Sequence, residues 1–124
     1  MDVTVRRLVV ADAQALRRLL VGMAGFVAGE RLKERHKGLL VGVYVQPAFR
    51  RRRLARRLVE AVIAHAAQHA RVLNATVGAD NQSACALYRA LGFTTYGTEP
   101  QALCVGGRFL ATDLIQLDLA NHRE

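Results

Sequence analysis

Apolar and polar positions alternate along this chain with two periods, and the places where the period changes divide it into elements. Val3, Val5 and Leu8 interleave with Thr4 and Arg6, the period-two signature of a short strand. Asp12 stands where an N-cap belongs, ahead of a helix from Ala13 to about Leu20 with Leu16, Leu19 and Leu20 on one face. VGMAGFVAG, 21–29, reads as a strand, and the charged stretch ERLKERHKG, 30–38, as a hairpin turn. LLVGVYVQ, 39–46, is apolar almost without interruption, as in a strand covered on both faces, which places it at the centre of a sheet. Pro47 has no N–H to give to a ladder and ends that strand.

The period then changes to that of a helix. From Arg53 to about Ala70, the residues Leu54, Leu58, Val62 and Ala66 recur every fourth position, with Arg56, Arg57 and Glu60 on the other side. Val72 to Val77 reads as the next strand. Asp80 or Asn81 caps a second helix, in which Ala84, Leu87, Tyr88 and Leu91 share a face, and Gly92 takes the C′ position. Phe93 to Tyr96 is a strand, Gly106-Gly107 a turn, and Ile115, Leu117 and Leu119 alternate with Gln116 and Asp118 in a last strand. There are no repeats and no low-complexity segments. This order predicts one α/β (α+β) domain over residues 1–124, a mixed sheet covered by helices. A chain of 124 residues is long enough to bury a core of its own.

Composition narrows the class and charge narrows the partner. With 52% hydrophobic and 23% charged residues the chain is of globular type. MDVTVRRL lacks the apolar run of a signal peptide, and no segment approaches the roughly 20 apolar residues of a membrane span. Cys85 and Cys104 lack metal-ligand spacing, so no metal site is expected and a reducing cytoplasm is the expected location. The net charge of +8 points to an anionic partner: nucleic acid, an acidic membrane surface or a phosphate-rich cofactor. It is densest from Arg50 to Arg57, where a strand, a proline turn and a helix start follow one another. Arginine suits bidentate phosphate contacts, and a helix start offers free N–H groups.

Two patterns then carry a resemblance. Arg50, Arg51, Arg52, Arg53, Leu54 and Ala55 lie on a Q/R-x-x-G-x-G/A pattern between a strand and a helix, and Asn81, Ala84, Leu87, Tyr88, Gly92 and Phe93 on an Asn-x-x-Ala-x-x-Leu-Tyr-x-x-x-Gly-Phe pattern. With YGTEPQALCVGGRF, 96–109, they make residues from about 20 to 120 resemble the GNAT superfamily of acyl-CoA N-acyltransferases. The resemblance implies a mostly antiparallel mixed sheet flanked by helices, with acetyl-CoA as co-substrate and an amine acceptor, either a small molecule or a protein amine. It implies that backbone N–H groups of Arg50 to Ala55 meet the coenzyme A pyrophosphate. The backbone of Val43, Tyr44 and Val45 would bind the pantetheine arm and polarise the thioester carbonyl, and Tyr88 would protonate the departing thiolate. Asn81 would bind the cofactor or an active-site water, or serve as the helix cap. Two departures stand out: Arg53 where the family has glycine, and a short N-terminal part lacking the usual second helix and second strand. A sheet edge left open in that way suits a partner chain, a homodimer among the options.

The same residues have plainer readings. A tyrosine on an apolar helix face is ordinarily core, an arginine run ordinarily a solvated surface. For a general base the candidates are His36 and Glu99, each set against a surface role, or a water relay. His65 reads as a core or boundary histidine, and Cys85 has no paired base. Against the acetyltransferase stand a non-catalytic relative that binds acyl-CoA or a partner chain, and a nucleic-acid module built on RRRRLARR. No aromatic residues interleave with that run, which counts against nucleic acid.

Overall fold

The computed structural model describes residues 22–50 and 53–122; the expected first strand and helix, and with them the shortened N-terminal part, lie outside this range. Strand β1 (Gly22–Ala28) and strand β2 (Lys37–Val45) form an antiparallel hairpin, and a 3-10 turn at Leu32–Glu34 lies in its charged connection. A second 3-10 turn, Pro47–Phe49, follows β2. Helix α1 (Leu54–Ala66), strand β3 (Val72–Gly78), helix α2 (Gln82–Ala90) and strands β4 (Thr94–Val105) and β5 (Arg108–Asp118) complete the described fold. The sheet order is β1-β2-β3-β5-β4, with β2 and β3 parallel and the other neighbours antiparallel. The mixed, mostly antiparallel sheet expected from the sequence is present.

Both helices lie on one face of it. Leu73, Ala75 and Val77 of β3 and Ile115 and Leu117 of β5 meet Val59, Val62, Ile63 and Ala66 of α1, with Tyr88 of α2 and Phe93 beside them. Val59, Leu73 and Leu119 are fully buried, and each such side chain contributes about 1.5–3 kcal/mol of transfer free energy. The buried stripe of α1 runs through Leu54, Val59, Val62, Ile63 and Ala66, so it is wider than the every-fourth-residue pattern and leaves Leu58 only half-buried. The helix also stops four residues before Ala70. There the bonds Gln68 N–H to His65 O and His69 N–H to Ala66 O tighten its end into i→i+3 turns that lead into β3.

Two strands differ from the sequence expectation. Among the described strands the apolar run in β2 is not the central one; β3 is, and Leu39 is exposed. An unbroken apolar run reports low polarity, whereas sheet order is decided by which strands pair: β5 runs along the far side of β3 and so puts β3 between β2 and β5. Strand β4 is twelve residues long instead of four; it is the last of the described strands on its side of the sheet and is exposed on both faces. Without a buried face there is no alternation in sequence to mark it.

What shapes the site is a bulge in β2. Met23 pairs with Tyr44 and Gly25 with Val41, so three steps on β2 match two on β1. Gly42 supplies the extra residue in the left-handed region, φ 63°, where glycine carries no Cβ penalty. A bulged strand bends. The ladder between β2 and β3 accordingly covers Lys37–Leu39 opposite Val72–Asn74 and no further. Beyond that point the two parallel strands diverge, and the sheet opens as a cleft toward their C-terminal ends.

Candidate active site

The cleft is flanked by two helix starts, since α1 follows the C-terminal end of β2 and α2 follows that of β3. Ligands gather outside the carboxyl ends of parallel strands for this reason: the following helices point their free N–H groups there. Val43, Tyr44 and Val45 lie on the diverging part of β2, after the bulge. The turn into α1 is closed by Arg50, whose Nε donates to the Val45 carbonyl oxygen at 3.2 Å and whose N–H donates to Pro47 O at 3.4 Å. Arg50 thus ties the basic loop to the end of the strand. Arg51 and Arg52 lie outside the described residues.

Arg53 is the N-cap of α1, with φ 57° and ψ 18° and no side-chain cap bond. Among the described residues it is the one non-glycine with positive φ. A left-handed conformation costs an L-residue about 1–2 kcal/mol, and it places the N–H groups of Leu54, Ala55 and Arg56 at the head of the helix without intrahelical partners. Arg53 therefore holds the backbone geometry that glycine would adopt freely. The sequence departure and the backbone strain fall on one residue.

On the other helix, Asn81 is the N-cap: its Oδ1 accepts from Ala84 N–H and from Ser83 Oγ, both at 3.2 Å. The alternative cap, Asp80, does not take that place. Tyr88, 7% exposed, sits on the sheet-facing side of α2, edge-on to Phe93 with ring centroids 5.4 Å apart. Burial raises its phenol above the usual tyrosine value, because desolvation disfavours the phenolate. Tyr88 lines a recess of about 270 Å³ with Val77, Cys85, Arg89, Phe93 and Asp113. Asp113 accepts from Thr98 Oγ1 at 2.9 Å. This carboxylate was not singled out in the sequence: it stands 25 residues after Tyr88 in a strand whose start has no periodic signal, and only the pairing of β5 with β3 brings it there.

The other candidates lie elsewhere. His36 precedes β2, at the closed end of the cleft, and its carbonyl accepts from Arg71 and Val72 N–H. The length of β2, about 26 Å at some 3.3 Å per residue, separates it from the basic loop. Glu99 is exposed on β4 beside an irregularity in its pairing. His65 packs edge-on against Phe26, a boundary position as its spacing suggested. Cys85 Sγ donates to Gly78 O at 3.6 Å. Among the described residues, no three His, Cys, Asp or Glu side chains cluster as metal ligands, and no helix is long and apolar enough to cross a membrane.

Comparison with known proteins agrees with this architecture. Residues 6–93 match the model of the acetyltransferase (GNAT) family. No curated protein matches the chain in sequence. Among solved structures, the Salmonella typhimurium protein yncA, determined with its cofactor acetyl-CoA, is 29% identical with a TM-score of 0.75, over 84% of this chain and 61% of that one. A GNAT-family acetyltransferase from Streptococcus pneumoniae is 27% identical with a TM-score of 0.74, over 79% of this chain and 60% of that one. The ribosomal-protein-alanine N-acetyltransferase of Brucella melitensis is 31% identical with a TM-score of 0.72, over 79% and 61%. The chain thus spans about three fifths of the length of these relatives. A sheet split between two parallel strands, a helix start at each strand end and a family match over residues 6–93 lead to one conclusion: the chain belongs to the GNAT acetyltransferase family.

Proposed function

We propose that this protein transfers an acetyl group from acetyl-CoA to a primary amine, by direct attack within a ternary complex. The observation that carries the reading is the divergence of β2 from β3 after Leu39 and Asn74. It opens a strand edge along which an extended pantetheine arm fits as an added strand. At the end of that edge, the head of α1 offers N–H groups and the positive end of its dipole to a pyrophosphate. The net charge of +8 reinforces the attraction. Backbone groups of Val43, Tyr44, Val45 and of Arg50, Arg53, Leu54 and Ala55 form the binding surface, and Asn81 holds the second helix start in place.

In the reaction the amine nitrogen attacks the thioester carbonyl carbon, and a tetrahedral oxyanion forms. An N–H of the Val43–Val45 segment stabilises that oxyanion. When it collapses, the carbon–sulfur bond breaks and the Tyr88 phenol gives its proton to the departing thiolate. A raised phenol pKa keeps this acid protonated at neutral pH. The proton lost by the amine passes to water, and a proton from water returns to the Tyr88 phenolate, which regenerates the acid. The proposed setting is the cytoplasm, where acetyl-CoA is available.

A calorimetric titration with acetyl-CoA, followed by thiol detection of released coenzyme A over a panel of amines, tests the proposal. Wild type should bind and turn over. Tyr88→Phe should bind comparably with kcat lower by about 100-fold, the small end of the usual general-acid contribution. Absence of acetyl-CoA binding refutes the reading. Binding without release across the panel favours the binding-only reading, for which the strained arginine at the head of α1 is the specific observation.

A further inference from the structure

Helix α1 ends in a pair of histidines that the proposed reaction does not use. His65 lies in its last turn, and His69 follows four residues on, in the tightened turns that lead to β3. Their ring centroids are 4.6 Å apart, with the planes tilted by 44°. His65 is half-buried and His69 exposed, so the pair opens to solvent on one side. Among the described residues, neither imidazole takes part in a side-chain hydrogen bond or an ion pair. A neutral imidazole therefore keeps a nitrogen lone pair to offer from each ring.

His65 is held from behind. Phe26 of β1 meets it edge-on, with centroids 5.4 Å apart and an interplanar angle of 77°. Phe26 is itself seated over Gly38 of β2, where a Cβ would collide with the Phe26 ring. The bare backbone at Gly38 thus makes room for Phe26, and Phe26 limits the rotation of His65. A donor already fixed in place loses less freedom when it binds.

Two imidazoles at i and i+4 on one face of a helix chelate a transition metal. With metal–nitrogen bonds near 2 Å, two rings sharing one ion have centres about 4.5–5 Å apart, the shorter value for ligands at a right angle. The observed 4.6 Å lies at that end, and right-angle placement is what Ni2+ and Cu2+ adopt. Among the described residues no third His, Cys, Asp or Glu joins the pair, so the donors are nitrogen alone, which does not suit Mg2+ or Ca2+.

We infer that His65 and His69 form a two-imidazole site for a late divalent transition-metal ion, of the Ni2+, Cu2+ and Zn2+ class, with water in the remaining positions. The site lies about 17 Å along α1 from Leu54, at 1.5 Å per residue. It is separate from the proposed cofactor cradle, and the inference is independent of the proposed activity. The net charge of +8 opposes a dication only weakly, since exposed charges are screened beyond about 8–10 Å at physiological ionic strength. Metal–imidazole bonds act at contact. Both ligands belong to one turn, so a bound ion clamps the end of α1 and stabilises the folded chain.

Calorimetric titration of NiCl2 into the untagged protein tests the site. Wild type should take up one Ni2+ per chain at sub-millimolar concentration. His69→Ala and, separately, His65→Ala should each weaken binding at least tenfold, because one imidazole is not a chelate. His36→Ala, in the β1–β2 connection, and Cys104→Ser, at an exposed thiol, should leave the affinity unchanged. Because His65 also packs on Phe26, exposed His69 supplies a second readout: saturating Ni2+ should raise the Tm of wild type and raise that of His69→Ala much less. A wild type that takes up no Ni2+ overturns the inference. So does an affinity untouched by His69→Ala, binding lost in His36→Ala or Cys104→Ser, or a wild-type Tm that Ni2+ does not raise.

Discussion

Replacing Arg53 by glycine separates the backbone of the α1 cradle from its side chain. In the left-handed conformation at φ 57°, an L-residue gives up about 1–2 kcal/mol that glycine does not. Glycine in turn adds roughly 0.5–1 kcal/mol of chain entropy to the unfolded state. The difference leaves Arg53→Gly more stable by about 0–1.5 kcal/mol, a rise in Tm of roughly 3–5 °C per kcal/mol for a domain of this size. Arg53→Ala keeps a Cβ and with it the penalty, so its Tm should not rise. Thermal unfolding of the three proteins without ligand therefore reads the conformation independently of any activity. Titration of acetyl-CoA into the same proteins then reads the cradle. If the helix-head amides bind the pyrophosphate, Arg53→Gly binds at least as tightly as wild type, since glycine lets the backbone approach more closely. A tenfold loss of affinity, about 1.4 kcal/mol, would refute that account and make the guanidinium the phosphate ligand. A fall in the stability of Arg53→Gly would refute the strain itself.

Further tests reach other parts of the molecule. Asn81→Ala removes the acceptor of Ala84 N–H and should cost about 1 kcal/mol in denaturant unfolding, whereas Asn81→Asp keeps a capping oxygen and most of the stability; weaker acetyl-CoA binding in a stable Asn81→Asp would reveal a ligand role besides the cap. Leu73→Ala empties a fully buried position and should cost about 2–5 kcal/mol by the same measurement. Gly29→Ala would press a Cβ into the Glu34 carbonyl in the β1–β2 connection, and its Tm should fall although the residue is not buried in the core. The phenol of Tyr88 sets an alkaline limit: the unfolded phenol ionises as pH passes 10.0 while the buried one still holds its proton. Its contribution is therefore intact below pH 10.0 and is lost as pH rises above it; denaturation midpoints followed into that range should fall less in Tyr88→Phe than in wild type.

From sequence alone, the elements with a buried face could be read. Asn81 as a cap, Gly92 with φ 101° and the Gly106-Gly107 turn each stand where local chemistry required them. So do the apolar stripes of α1 and α2, because a helix on a sheet must repeat its contacts every three or four residues. The strand β4 could not be read that way, since an edge strand open on both faces has no period to display. Position in the sheet was equally hidden: apolar runs mark β2 and β3 alike, and only the long-range pairing of β5 with β3 puts β3 in the middle of the described strands.

The candidate site divides along the same line. Arg50 to Ala55 and Asn81 to Phe93 are local segments, each with a turn or a cap that the neighbouring residues specify, and their spacing carried the family resemblance. The opening between them is not local. It arises where one extra residue at Gly42 bends β2 away from β3 after three paired positions, and a bulge depends on the register of the partner strand as much as on the residue that fills it. The left-handed backbone of Arg53, the burial that raises the Tyr88 phenol and the presence of Asp113 in its recess were likewise decided by tertiary structure. Sequence determined which residues can form strands, helices and caps. Packing determined which groups share a space, because strain, desolvation and proximity belong to pairs of segments and not to one.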